Sequence, residues 1–316
     1  MTLLGYGEYT YEVSGKDWGD LPDGWSYKEA TAVAVDSKDN VYVYNRGGHW
    51  IIIFDSNGKF LRSWGEKIFT NPHGVTISPD DTIFCVDSAD HTIRKFTLDG
   101  KLLMTIGVPG KSSAPMSGQP FNKPTHIAVD PRNGDLYVSD GYANASIHKY
   151  SPDGRLLFSW GESGTRPGEF NIPHNIAVDR DGWVYVADRE NQRVQIFDSN
   201  GKFETQWVNL ARTCAVYVDN RGDPLVYIGE YYCGDTTNTM GLRIGPRISI
   251  MDTSGNLVSE LGVKSFGDDP GRFYAPHGIS VDSKGNIYVA EVSWGEFGSQ
   301  MDPPRNLRSM QKLIKQ

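Results

Sequence analysis

Hydrophobic and polar positions alternate along this chain in short bursts, four to six residues at a time, and each burst closes on turn formers. One unit recurs: an apolar strand ending on an acidic residue, as in Val33-Ala-Val-Asp36, Ile127-Ala-Val-Asp130, Ile176-Ala-Val-Asp179, Val216-Tyr-Val-Asp219 and Ile279-Ser-Val-Asp282. Val75-Thr-Ile-Ser78 is the same unit with serine in the last place. Each copy runs through Gly, Asp or Asn into a second strand such as Asn40-Val-Tyr-Val-Tyr44, and a loop then leads to a third such as Arg193-Val-Gln-Ile-Phe197. An Asp-Gly or Asn-Gly turn (Asn57-Gly58, Asp99-Gly100, Asp153-Gly154, Asn200-Gly201) opens a fourth strand that often ends in Trp-Gly-Glu.

Anchored on positions 36, 78, 130, 179, 219 and 282, the copies are 42, 52, 49, 40 and 63 residues apart. Four strands in roughly 40–50 residues is the signature of a propeller blade, so the pattern predicts an all-β, six-bladed β-propeller. The sixth copy runs short of strands, and Tyr9-Thr-Tyr-Glu-Val13 has no blade of its own, so this N-terminal strand is expected to complete the last blade. That closure makes residues 1–316 a single domain. The repeat resembles NHL-type propellers over nearly the whole chain.

Strand alternation then assigns faces. With the strands of a blade named A to D from the inside, the start of A and the B–C loop share one face; the A–B and C–D turns share the other. Five residues before each anchor stand Thr31, His73, Thr125, His174, Cys214 and His277. Alternate blades therefore carry histidine, each in one frame: Asn71-Pro-His-Gly74, Ile172-Pro-His-Asn175 and Ala275-Pro-His-Gly278. Proline fixes φ just before each imidazole. Three neutral imidazoles with an open fourth position suit a catalytic zinc ion; other divalent transition ions share the preference, and hydrogen-bonded channel histidines without a metal are the competing reading. His126 lies one residue off the register and is excluded as a ligand. His49, His91 and His148 are expected at the surface or in support of other residues.

The B–C loops on the same face offer Arg46, Tyr142 and Arg189, within Tyr44-Asn-Arg46-Gly-Gly-His49, Ser139-Asp-Gly-Tyr142-Ala-Asn144 and Ala187-Asp-Arg189-Glu-Asn191. An arginine there holds a carboxylate or stabilises an oxyanion; a tyrosine beside a cation serves as general base. Structural pairing of the arginines across blades, and simple stacking of Tyr142, are the plain alternatives.

Taken together, these stretches resemble the lyase component of the peptidylglycine α-amidating enzyme. The resemblance implies zinc on His73, His174 and His277, Tyr142 as base, Arg46 and Arg189 around the substrate, and cleavage of the N–C bond of a peptidyl-α-hydroxyglycine to an amide and glyoxylate. Three positions depart from the family pattern. Ala275 stands where the family has Met, Gly278 replaces an Asp that ligates calcium, and Ala143 replaces a disulfide cysteine. A structural calcium ion is therefore in doubt. An insertion at 229–245 in blade five is expected to fold over the active face. Alternatives are a propeller acting on a lactone or cyclic depsipeptide, for which carboxylate and amide ligands to a hard cation would be expected, and a non-catalytic protein-binding scaffold.

Composition narrows the partners. Thirty-one basic residues against 39 acidic leave a net charge of -8, with no basic run, which argues against nucleic acid. No 18-residue apolar stretch exists to span a membrane. A small-molecule or peptide-derived substrate is expected. Cys85, Cys214 and Cys233 make no even framework, and the first residues lack a basic then apolar leader, so a reducing, cytoplasmic setting is expected.

Overall fold

A computed structural model describes residues 2–15, 17–231, 245–262 and 267–316. It is almost entirely β: six antiparallel sheets in chain order, the fold of a six-bladed β-propeller of NHL type. In strand order from A, blade one is Ala30–Val35, Val41–Asn45, Ile51–Phe54 and Phe60–Trp64. Blade two is Pro72–Ile77, Thr82–Asp87, Thr92–Thr97 and Leu102–Ile106; blade three is His126–Val129, Leu136–Asp140, Ser146–Tyr150 and Leu156–Trp160. Blade four is Pro173–Val178, Val184–Asp188, Arg193–Phe197 and Phe203–Trp207; blade five is Arg212–Asp219, Leu225–Tyr231, Arg247–Asp252 and Leu257–Leu261.

Blade six pairs Pro276–Val281, Ile287–Glu291 and Met310–Lys315 with the N-terminal Tyr9–Val13. The N-terminal strand thus completes this blade as expected. The last residues of the chain return as Met310–Lys315, so the copy lacks its outer strand, which Tyr9–Val13 supplies. One detail differs from expectation: Leu3–Tyr6 adds a fifth strand through a tight turn at Gly7.

Contact density divides the chain into two compact units, residues 1–66 with 225–316, and residues 67–224. In the second unit, blades two and three share a core of Phe84, Val86, Ile127 and Val138, and blades three and four a core of Tyr137, Ile147, Val186 and Phe197. In the first unit, Val43, Phe54, Tyr288 and Ala290 pack around Trp18. Strands A to C are buried on both sheet faces, which is why runs such as Ile51-Ile-Ile-Phe54 are apolar without alternation. Strand D faces water on its outer half, as in Phe60–Trp64.

The recurrent anchor acid caps the A–B turn. Asp36 accepts the backbone N–H groups of Lys38 (2.9 Å) and Asn40 (2.8 Å) and the hydroxyl of Tyr42 (3.2 Å). Asp179 with Tyr185 and Asp282 with Tyr288 repeat the arrangement at 3.0 and 3.1 Å. The anchor is therefore a device of the turn face, and the opposite face is left for chemistry. No helix among the described residues is long and apolar enough to cross a membrane. The insertion placed at 229–245 falls largely outside the described residues.

Candidate metal and catalytic site

Each Pro-His segment is held from within its own blade by a buried carboxylate at the end of strand B. Asp87 accepts the N–H of Asn71 at 3.0 Å, Asp188 that of Asn171 at 2.7 Å, and Glu291 those of Tyr274 (2.6 Å) and Ala275 (3.1 Å). Burial pushes the Asp188 carboxyl above its ordinary range, more than its hydrogen bonds from Asn171, Asn191 and Arg193 lower it, and burial does the same to Glu291. Sequence reasoning missed these supports, although strand B ending in an acid (Val86-Asp87, Ala187-Asp188, Ala290-Glu291) was the available signal.

The three histidines are buried, and each spends its Nδ1 in the same way. His73 donates to the carbonyl of Thr125 (2.6 Å), His174 to that of Cys214 (2.7 Å) and His277 to that of Thr31 (2.5 Å). A carbonyl only accepts, so the Nδ1–H tautomer is set in all three and every Nε2 presents a lone pair. The acceptors are the small residues that occupy the histidine position in the alternate blades.

Within residues 67–224 the structure brings together His73, His174, Tyr142 and Arg189. The two imidazole centroids are 4.9 Å apart. The Tyr142 hydroxyl lies 2.8 Å from Nε2 of His73 and 3.1 Å from Nε2 of His174. One hydroxyl thus faces two ring nitrogens. The Arg189 guanidinium stands 5.5 Å over the Tyr142 ring. Tyr142 is aimed by its loop: its N–H donates to the Lys123 carbonyl (3.3 Å), and Asp140 accepts the Asn122 N–H (2.9 Å) and the Asn144 side-chain amide (3.0 Å). Gly141 permits the turn, since a Cβ there would stand 2.1 Å from the Pro173 carbonyl oxygen.

Within the other unit, His277 faces Tyr231 at a centroid distance of 6.3 Å. Arg46 donates to Glu29 at 2.6 Å, and the second oxygen of Glu29 accepts the Gly295 N–H at 2.6 Å. The ion pair with Glu29 was not read from the sequence. Gly278 leaves no room for a side chain: a Cβ would meet the Ala32 Cα at 2.7 Å. The residues present therefore do not fit a calcium ligand there.

The remaining histidines stand apart. His126 packs on Gly74, and burial pulls its pKa down to about 4, keeping it neutral. His49 stacks on Trp25, and His91 accepts the Lys123 N–H at 3.0 Å. His148 is fully buried, bridging Ser159 (2.7 Å) to Asp140 (3.3 Å) beneath the Tyr142 loop, so its place is in support of that loop and not at the surface. A fourth contributor was not anticipated: Glu190 binds both Arg189 (2.8 Å) and Arg212 (2.7 Å).

The NHL repeat family profile matches residues 170–197. The chain is 35% identical to peptidyl-alpha-hydroxyglycine alpha-amidating lyase 1 of Drosophila melanogaster, over 75% of this chain and 46% of that protein. It is 33% identical to NHL repeat-containing protein 3 of Mus musculus, over 82% of this chain and 76% of that protein. Peptidyl-glycine alpha-amidating monooxygenase B of Xenopus laevis is 30% identical over 84% of this chain, which spans only 33% of that longer protein. Among solved structures, virginiamycin B lyase from Staphylococcus aureus aligns with a TM-score of 0.57 at 14% identity, covering 92% of this chain and 96% of that one, a likeness of fold.

Proposed function

Since this chain belongs to the amidating-lyase family of NHL-repeat propellers, we propose that it is a metal-dependent lyase that cleaves the C–N bond of an α-hydroxyglycine-type carbinolamide, giving an amide and an aldehyde such as glyoxylate. It acts as one six-bladed domain over residues 1–316. The carrying observation is the common tautomer of His73, His174 and His277. Three Nδ1–H groups bound to carbonyls leave three Nε2 donors, and among the described residues these are the one set of His, Cys, Asp or Glu side chains suited to holding a metal ion together.

The donor set fits zinc first, with iron, cobalt or manganese as alternatives. A divalent ion so held would supply Lewis acidity, favouring loss of a proton from a nearby hydroxyl. The chain's own residues divide the remaining work. Tyr142, ionised to its phenolate, takes the proton of the substrate hydroxyl at its phenolic oxygen. As that O–H bond breaks, the C=O double bond of the aldehyde forms, the C–N bond electrons pass to the amide nitrogen, and Tyr142 returns the proton to that nitrogen, which restores the phenolate; no oxidant is needed. Arg189 and Arg46 hold the neighbouring carboxylate, Arg189 from over the Tyr142 ring and Arg46 from its Glu29 strut. The backbone around Gly141 and the carboxylate of Asp140 keep the phenol in place.

A cytoplasmic, reducing setting belongs to the same proposal and is supported by the buried free thiols of Cys85 and Cys214. The test is metal analysis of purified protein together with turnover of an N-acyl-α-hydroxyglycine. Roughly one equivalent of transition metal and release of glyoxylate are expected, and His174→Ala should lose both. Undiminished turnover in that variant refutes the site. A wild-type protein with neither metal nor turnover favours the binding-scaffold reading.

A further inference from the structure

We propose that the cavity between blades two and three, at the end of the strands where the anchor turns lie, is a second ligand site, taking a small uncharged molecule with an apolar body and a single carbonyl acceptor. The inference is independent of the lyase reading. The cavity measures about 230 Å³ and is lined by Phe84, Lys95, Val129, Pro131, Leu136 and Pro152, all within residues 67–224. Its place coincides with a break in the repeat. In blades one, four and six the anchor acid accepts the hydroxyl of a tyrosine on strand B: Asp36 from Tyr42, Asp179 from Tyr185 and Asp282 from Tyr288. Blade two has Ser78 and Phe84 at the matching places. The Phe84 ring is buried but carries no hydroxyl, and the Ser78 hydroxyl donates to Asp80 at 2.5 Å instead. Blade two thus lacks the acid–phenol pair that closes the turn end of those blades, and Ser78, Asp80 and Phe84 all border the cavity.

The cation in the cavity wall lacks the acceptor that its counterparts have. Three blades pair an aromatic ring on strand B with a lysine on strand C: Phe84 with Lys95, Tyr137 with Lys149 and Tyr288 with Lys312. Each ammonium stands over its ring, at 5.2, 5.1 and 5.1 Å. Lys149 also donates to the Ser199 carbonyl at 3.0 Å and Lys312 to the Ser56 carbonyl at 2.6 Å, in the C–D turn of the following blade. The matching residue for Lys95 is Pro152, across the cavity. Among the described residues Lys95 makes no hydrogen bond, and its ion pair with Asp80 is long, at 3.5 Å. Its side chain is only 22% exposed, so water replaces the missing carbonyl poorly. A carbonyl oxygen on a ligand would supply it. Charge selects against the alternatives. Burial raises the Asp80 carboxyl pKa, but hydrogen bonds from Ser78 and Thr82 and the charge of Lys95 outweigh it and bring it down to about 2. An anion would therefore meet Asp80, and a cation would meet Lys95. Size sets the rest: an engineered apolar cavity of about 150 Å³ holds benzene, so this one accommodates a ring with a short carbonyl arm.

The experiment titrates methyl-labelled protein with acetophenone and with ethylbenzene, which has the same ring and nearly the same size but no acceptor, and follows the methyl signals by nuclear magnetic resonance. Acetophenone should shift the Val129 and Leu136 methyls and bind about tenfold more tightly than ethylbenzene, the worth of one hydrogen bond from a charged donor. Lys95→Ile should bring the two affinities within about twofold. Isoleucine already stands at this register in blades one, four and five (Ile53, Ile196 and Ile250), so the variant is expected to fold. Benzoate and benzylamine, the anionic and cationic counterparts, should each bind more weakly than acetophenone. If acetophenone moves neither methyl up to its solubility limit, the cavity is not a site for this class. Equal binding of ethylbenzene in wild type, or an unchanged preference in Lys95→Ile, removes Lys95 as the donor, and tighter binding of benzoate or benzylamine removes the uncharged class; each overturns the inference. Binding is read without turnover, so failure of the lyase reading leaves this result standing, and the reverse holds.

Discussion

Gly141→Ala is the most direct mechanical test of how Tyr142 is placed. The added Cβ would stand 2.1 Å from the Pro173 carbonyl oxygen and 3.0 Å from its carbonyl carbon. Ordinary contact begins at 3.4 Å, so something must give by about 1.3 Å, and both partners are main chain. The Pro173 carbonyl is also the acceptor for the Thr125 hydroxyl (2.9 Å), and the next residue is His174. On the other side the next residue is Tyr142. Whichever backbone yields, the phenol or the imidazole moves by roughly an ångström. Overpacking of this kind costs about 1–3 kcal/mol, and a misplacement of about 1 Å costs roughly a hundredfold in rate. Urea unfolding and turnover on the same preparation measure both. Gly222→Ala is the control: its φ of +54° makes alanine strained but nothing lies within 4 Å, so it should lose about 1 kcal/mol and no activity. A Gly141→Ala protein with wild-type turnover would show that Tyr142 does not depend on this contact.

Two further outcomes follow from the same structure. Gly278→Asp should not create a calcium site: with the Ala32 Cα 2.7 Å and the Val33 nitrogen 3.1 Å from the new Cβ, the variant should be destabilised by about 1–3 kcal/mol, and calcium should not raise its melting temperature; a calcium-dependent rise would contradict this. For Glu190, burial raises the carboxyl pKa, but hydrogen bonds and charge from Arg212 and Arg189 outweigh it and hold the group below its ordinary range. A depressed folded-state pKa contributes stability above the unfolded value and loses it as pH falls through the folded one. The stability lost in Glu190→Gln should therefore be seen at neutral pH and fade in acid below the ordinary carboxylate range, as denaturant titrations across pH would show; a loss independent of pH would refute the pairing.

The blades and the Pro-His positions were legible because a repeat compares the chain with itself. Six anchors fixed a register, and register decides which residues share a face. That was enough to separate His73, His174 and His277 from His126, one residue away. What escaped lay outside side-chain alternation. The acceptors for the three Nδ1–H groups are backbone carbonyls of Thr125, Cys214 and Thr31, and a carbonyl leaves no mark on a residue's identity. The pairings of Arg46 with Glu29, in blade one, and of Arg212 with Glu190, between blades five and four, bridge 17 and 22 residues and are not part of the repeat, so no internal comparison pointed to them. The fifth strand at Leu3–Tyr6 was missed for the same reason, since among the described residues no other blade has one.

The alternation of histidine with small residues has a physical cause visible in residues 67–224. An imidazole that is to offer Nε2 must give its Nδ1–H to something rigid, and the nearest rigid acceptor is the main chain at the matching point of the next blade. Thr125 fills that place for His73 and goes further: its hydroxyl donates to the Pro173 carbonyl at 2.9 Å, which fixes the residue before His174. One small side chain therefore braces the imidazole behind it through its carbonyl and the next one through its hydroxyl. A histidine at that position would keep the carbonyl but lose the hydroxyl bond, and it would place a ring in a space that a threonine fills with no exposed surface. Supports and ligands thus compete for the same positions, and alternation resolves the competition: every second blade supplies a ligand, and the blades between supply what holds the ligands still.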